Sequence, residues 1–154
     1  MSSALQVRDL AIGHGNHSLL SGINFDIGAR ESVALLGVNG SGKSTLLRTL
    51  AGLQPALTGE VRVEGVPIAL LGAAQRARKV AVVLTGRPPT GQLDVETLVA
   101  LGRQPWTGRW GTLTTDDRAQ VDRALRLTGA DHLRQKALNT CSDGECQKVI
   151  IARA

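Results

Sequence analysis

Aromatic residues are almost absent from this 154-residue chain: Phe25, Trp106 and Trp110 are the whole set, and there is no tyrosine. That scarcity qualifies an otherwise suggestive charge. A net charge of +5 and a pI of about 10.0 favour polyanionic partners, yet single-stranded nucleic acid is held by stacking its bases on aromatic side chains. The cations are also dispersed, the densest group being Arg76, Arg78 and Lys79. The reading is a solvated, arginine-rich surface with no nucleic acid as partner. Cysteine is equally sparse. Cys141 and Cys146 match no four-ligand zinc spacing, and they are expected to be unbridged thiols that hold no metal. The longest apolar runs, such as residues 80–84, fall far short of the roughly 20 residues of a membrane span. The N-terminal segment carries Arg8, Asp9, His14 and His17 before any apolar block forms, unlike a secretory signal. Internal repeats and low-complexity linkers are missing too. The expectation is a cytosolic chain, or one that reaches a membrane only through a partner.

What is present has the pattern of a folded domain, with 42% hydrophobic and 20% charged residues. Leu5, Val7, Leu10 and Ile12 nearly alternate, and Ile23, Phe25 and Ile27 alternate strictly; both predict strands, around a polar turn over 13–18. Residues 32–36 form a continuous apolar run of the kind buried on both faces of a parallel sheet. A glycine-rich turn follows, then a helix predicted to bury Leu46, Leu47, Leu50 and Ala51 and to stop at Gly52. Further strands are predicted over 59–68 and 80–84, before a loop that Pro88 and Pro89 impose. The period then becomes helical. Asp94 can cap a helix through Leu98 and Leu101 that stops at Gly102 and Pro105; Thr114 can cap another carrying Val121, Ala124, Leu125 and Thr128, ending at Gly129. The expected fold is α/β, with a β-rich start, a parallel-sheet core and a helical subdomain from about residue 90.

The chemistry is concentrated in residues 37–44, GVNGSGKS, which satisfy the G-x4-G-K-[ST] pattern of a phosphate-binding loop, extended by Thr45. Gly37, Gly40 and Gly42 permit backbone angles that turn the amides of Asn39, Ser41 and their neighbours toward an anion at a helix N-terminus. Lys43 can reach the β- and γ-phosphates, and the Ser44 hydroxyl can ligate Mg²⁺. A chance match in a chain of this length occurs on the order of once in a few hundred sequences. The context of apolar run before and amphipathic helix after is also met.

Such a loop does not choose among kinases, GTPases and transport ATPases. A second motif does. Ser142, Asp143, Gly144 and Glu145 precede an apolar helix pattern and read locally as a capping box. The same geometry leaves a hydroxyl, a glycine amide and a helix N-terminus able to meet a phosphate of another molecule. The loop, this SDGE segment, and the IARA run at the end resemble the nucleotide-binding subunit of an ABC transporter. The SDGE form, together with LVALGR at 98–103 ahead of Pro105, resembles the branch serving iron-chelate, haem and cobalamin importers.

The resemblance implies an α/β P-loop NTPase of ABC type in three parts: a nucleotide-binding core over 1–89, a helical subdomain over 90–140, and the signature motif with the start of its helix over 141–154. It implies ATP and Mg²⁺ as cofactors, a second ATP-binding subunit (a homodimer), permease subunits in the membrane, and a cytoplasmic, peripheral location. Ser142, Asp143, Gly144 and Glu145 would face the partner's ATP. His14 stands where the family places an aromatic residue on adenine, and an imidazole can also stack. Thr85 stands where the family places a metal- and partner-sensing glutamine, and its hydroxyl is a candidate Mg²⁺ contact. No apolar run after Lys43 ends in Asp-Glu, and no later switch histidine follows, so no catalytic residue is identified. The chain is therefore expected to be partial, ending before the Asp-Glu strand, with an unpaired edge at 32–36 and a bare apolar face at 149–152. Two other readings stay open: a module that binds ATP without hydrolysing it, and a P-loop kinase or GTPase.

Overall fold

The computed structural model describes residues 3–83, 93–108 and 111–154. They fall into two compact units, Met1–Val80 and Ala81–Ala154, each with its own apolar core.

In the first unit β1 (Ser3–His14) and β2 (His17–Gly28) form a long antiparallel hairpin. β3 (Thr58–Val63) pairs with the other side of β1, and the short β4 (Val66–Pro67) lies beyond it, giving the order β2-β1-β3-β4. The polar turn expected over 13–18 shrinks to Gly15 and Asn16, because pairing continues to His14 opposite His17. Val7, Leu10 and Ile12 are all fully buried, although Val7 and Leu10 have opposite parity on a regular strand. A bulge resolves this. Val7 pairs with Phe25 and Leu10 with Ile23, so Arg8 and Asp9 together oppose Asn24, and Asp9 takes φ 44°. Asn24 clasps the bulge: its Oδ1 accepts the Asp9 amide at 2.9 Å and its Nδ2 donates to Asp9 Oδ1 at 3.0 Å. On the β3 side Gly59 sits at φ 81°, and a Cβ there would lie 2.3 Å from the Asp9 carbonyl oxygen.

The single strand predicted over 59–68 is instead a hairpin. Glu64 and Gly65 both adopt positive φ, 50° and 78°, the geometry of a two-residue turn matched to strand twist. A 3-10 turn, Ile68–Leu70, and the short α2 (Ala73–Lys79) follow.

α1 (Lys43–Leu50) packs Leu46 into the core with Val7, Leu10, Ile12, Val61, Val63 and Ile68. Of the predicted stripe Leu46 and Ala51 are buried and Leu50 packs against the core, but Leu47 is not part of it. Thr45, Leu46 and Thr49 are buried, whereas Leu47 is 56% exposed. Thr49 can be buried because its hydroxyl donates to the Thr45 carbonyl at 2.9 Å. Gly52 ends the helix as predicted, in a Schellman arrangement. Its amide donates to Thr49 and that of Leu53 to Arg48, at 3.0 and 2.9 Å.

The parallel core predicted through 32–36 and 80–84 is not formed among the described residues, whose sheet is wholly antiparallel. Residues 32–36 and 80–83 lie outside every ladder. Val33 is 62% exposed and Leu36 88%. A two-faced apolar strand is stabilised only between neighbours that cover both faces; among the described residues neither run is paired to a neighbouring strand, although Val80 packs against the first core.

The second unit is helical: α3 (Val95–Ala100) with a 3-10 turn Leu101–Arg103, α4 (Thr115–Leu127), and α5 (Asp143–Arg153), with 3-10 turns at Asp131–Leu133 and Leu138–Thr140. Each predicted cap is made. Asp94 accepts from Thr97 at 2.7 Å, Thr114 from Asp117 at 3.1 Å, and Ser142 from Glu145 at 3.3 Å. α3 ends at Ala100 and its 3-10 turn closes at Arg103, ahead of Pro105 as predicted, but the turn runs through Gly102 and Leu101 is exposed. A Cβ at Gly102 would lie 2.2 Å from the Arg153 carbonyl oxygen, so glycine serves close packing there.

Val95, Leu98, Val99, Val121, Leu125, Leu133 and Leu138 form the core with Cys141, Cys146 and Val149. The bare apolar face expected at 149–152 is thus corrected: Val149 and Ile150 are buried, with Val149 in this helical core. Arg134 ties the elements at the rim, meeting Glu96 at 3.0 Å, Asp122 at 2.6 Å and Asp131 at 2.9 Å. No helix among the described residues is long and apolar enough to cross a membrane.

Gly59→Ala should destabilise the first unit by about 2–4 kcal/mol, from positive φ and the clash with Asp9; urea unfolding midpoints equal to wild type would contradict this. The exposed run at 33–36 should drive self-association. Leu36→Lys is expected to reduce light scattering on concentration without lowering the melting temperature, and unchanged scattering would rule that segment out.

Candidate functional site

Residues 37–42 lead into α1, and the N-cap is Gly42 at φ 90°, with no side-chain cap. The first helical amides, of Lys43, Ser44 and Thr45, have no carbonyl four residues back inside the helix. A Cβ at Gly40 (φ 81°) would meet nothing within 4 Å, so the loop is open on that side. Within the loop the Ser41 amide donates to Val38 at 3.3 Å. Lys43 Nζ donates to the Gly37 and Val38 carbonyls at 2.7 and 2.6 Å, two of the three donors an ammonium has. Ser44 is exposed. Thr45, by contrast, is buried. Its Oγ1 lies 3.4 Å from His14 Nε2, which places the exposed ring of His14, at the end of β1, against the start of α1. Gln54 holds the same strand end, donating to the Gly13 carbonyl at 2.6 Å. Of the loop residues Gly37, Asn39, Gly40, Ser41, Gly42, Lys43, Ser44 and Thr45, it is Thr45 that meets His14. Thr85 lies outside the described residues.

An uncapped helix start with left-handed glycines and a lysine suits a polyphosphate: amides supply short-range donors, the helix dipole favours negative charge, and Lys43 adds a full cation.

The second motif is built differently. Ser142, Asp143 and Gly144 are exposed at the start of α5, and nothing lies within 4 Å of a Cβ built at Gly144. Glu145 turns back from this surface. Its Oε2 accepts the Ser142 amide at 2.7 Å and the Lys136 ammonium at 2.8 Å, and together they hold its carboxyl down to about 2. Cys141 and Cys146 flank the motif just before the cap and one turn into the helix, the positions of a hydrophobic staple. Both are buried, and no disulfide joins them.

The ABC transporter family profile matches residues 20–154. This chain belongs to the ABC transporter family. It is 39% identical over 150 residues to an uncharacterized ABC transporter ATP-binding protein of Methanocaldococcus jannaschii, covering 97% of this chain and 52% of that protein. It is 31% identical over 148 residues to the ferric enterobactin transport ATP-binding protein of Escherichia coli, covering 96% and 55%. Among solved structures, cbiO1 of Clostridium perfringens, part of the ABC transporter complex cbiONQ, superposes with a TM-score of 0.79 at 28% identity over 99% of this chain and 61% of that one. The chain spans about half the length of the curated relatives it matches.

For an ABC family chain, two side chains that bear on the motifs have no local sequence signal. Gln54 reaches β1 from the turn after α1, and Lys136 reaches Glu145 across a 3-10 turn. Both contacts are made by the tertiary fold. Asp117 is also held below the usual carboxylate range, by hydrogen bonds from Thr114 and by the Arg103 guanidinium.

The sign of the resulting pH dependence follows. Glu145 falls from an ordinary 4.5 to about 2 on folding, so its contribution is complete above pH 4.5 and is lost as pH drops toward 2. Asp117 acts in the same direction. Thermal melting should therefore fall below about pH 5 as these carboxylates protonate, with a shallower fall in Glu145→Gln. An equal fall in that variant would show that Glu145 is not responsible.

Proposed function

We propose that this chain is the ATP-binding part of an ABC importer that couples ATP binding and hydrolysis to uptake across a membrane, its cargo an iron-siderophore or a related metal chelate. The observation that carries the reading is the uncapped start of α1, where Gly40, Gly42 and Lys43 leave backbone amides and a cation for phosphate. Gly37, Asn39 and Ser41 complete that loop; Thr45 is its buried anchor, and His14 is its base-side platform. Mg²⁺, held at Ser44, would neutralise charge on the β- and γ-phosphates. The cargo assignment is supported by the SDGE form of the second motif and by the name of the Escherichia coli relative. Ser142, Gly144 and the first turn of α5 would face ATP bound by a second copy, and the helical unit would dock permease subunits that hold the protein at the cytoplasmic face of the membrane. The nucleotide core over 1–89, helical subdomain over 90–140 and signature segment over 141–154 divide these tasks.

One feature favours a second reading. No apolar run after Lys43 ends in Asp-Glu, so the residues present supply binding and not the general base that hydrolysis needs. A chain acting only through these residues is a module that binds ATP without turnover.

The test of the nucleotide site is Lys43→Ala. Each charge-assisted contact to phosphate is worth about 1.5–3 kcal/mol, so ATP affinity by calorimetry should fall at least about tenfold. Equal affinity for the two proteins would sink the assignment.

A further inference from the structure

The first turn of α5 carries two acidic residues, Asp143 and Glu145, at the place where the proposed function brings in a nucleotide phosphate. Acidic side chains suit a helix N-terminus but repel an approaching anion. For Glu145 the structure contains a remedy. Its Oε2 is held between the Ser142 amide and Lys136 Nζ, at 2.7 and 2.8 Å. Lys136 comes from outside the helix, and its backbone is fixed at both ends: its carbonyl accepts from the Val95 amide at 3.1 Å and its amide donates to Leu133 at 2.8 Å. The cation is therefore delivered by a segment pinned along α3. The Gly144 side of the turn stays open, with nothing within 4 Å of a Cβ built there.

We propose that Lys136 is a positioning residue for the SDGE motif: it draws the Glu145 carboxylate onto the Ser142 amide and cancels its charge, so that the start of α5 accepts a phosphate of ATP held by a second copy of the chain. This rests on the proposed function of that motif. Lys136 needs no contact with the nucleotide. Its action is exerted through Glu145, and removing the carboxylate charge should make it dispensable.

Sedimentation velocity with and without MgATP reads self-association, and titration with a fluorescent ATP analogue at low protein concentration reads affinity at the P-loop. Lys136→Met should leave P-loop affinity unchanged and weaken ATP-dependent self-association roughly tenfold, the scale of one uncompensated charge near a polyphosphate. Lys136→Arg should restore it. Glu145→Gln keeps the capping box, which glutamine also completes, and in that background Lys136→Met should change association by less than about twofold. Equal association of Lys136→Met and the unsubstituted chain would overturn the proposal. So would a loss that Glu145→Gln does not relieve, or a loss of helical circular dichroism in Lys136→Met that Glu145→Gln does not repair; each marks a different role. If the unsubstituted chain binds ATP without self-associating, the two-copy reading of the motif fails, and this proposal with it.

Discussion

What satisfies the first amides of each helix decides what the helix can do in this protein. Those amides have no partner inside the helix, and α3, α4 and α5 meet the need with Asp94, Thr114 and Ser142. At α1 the corresponding position is Gly42, which has no side chain to offer. The amides there are completed only by something from outside, and an anion is the best match to their dipoles and to Lys43. Gly72 likewise gives α2 no side-chain cap, so what distinguishes α1 is the left-handed glycines at 40 and 42 together with Lys43, and the nucleotide-binding reading follows from that combination.

The surroundings of α1 depend on one of the several irregularities along the pairing of β1. The bulge at Asp9, clasped by Asn24 and accommodated by Gly59, lets Val7, Leu10 and Ile12 all face the core under Leu46. With that register in place the end of β1 carries His14 to Thr45, and Gln54 secures Gly13 beside it. A strand without the bulge would turn Leu10 and Ile12 outward. The cost would be two large side chains' burial, about 1.5–3 kcal/mol each.

The two apolar runs at 32–36 and 80–83 show where packing is incomplete. Their composition is that of strands covered on both faces, yet no ladder includes them. The run at 32–36 leads directly into the phosphate loop, so the segment that enters the site is held by the loop's own contacts, chiefly Lys43 on Gly37 and Val38. α5 avoids a similar fate because Val149 finds the core built by α3 and α4.

Much of this was legible in the amino-acid sequence because it is local. Caps, the Gly52 stop, the strict alternation in β2 and the GVNGSGKS loop each depend on residues within a turn or two of one another, and short-range sterics and hydrogen bonding determine them. The resemblance to the family rests on the same kind of signal, two short motifs. Other features were decided only in three dimensions. The parity change in β1 needed Asn24 and Gly59; the burial of Thr45 and Thr49 in place of Leu47 needed the sheet beneath them. The neutralising of Glu145 needed Lys136, brought in by a segment paired with α3. The strand potential of 32–36 went unrealised for the same reason. Sequence periodicity states which face a segment could bury, and only the tertiary structure supplies the partner that buries it.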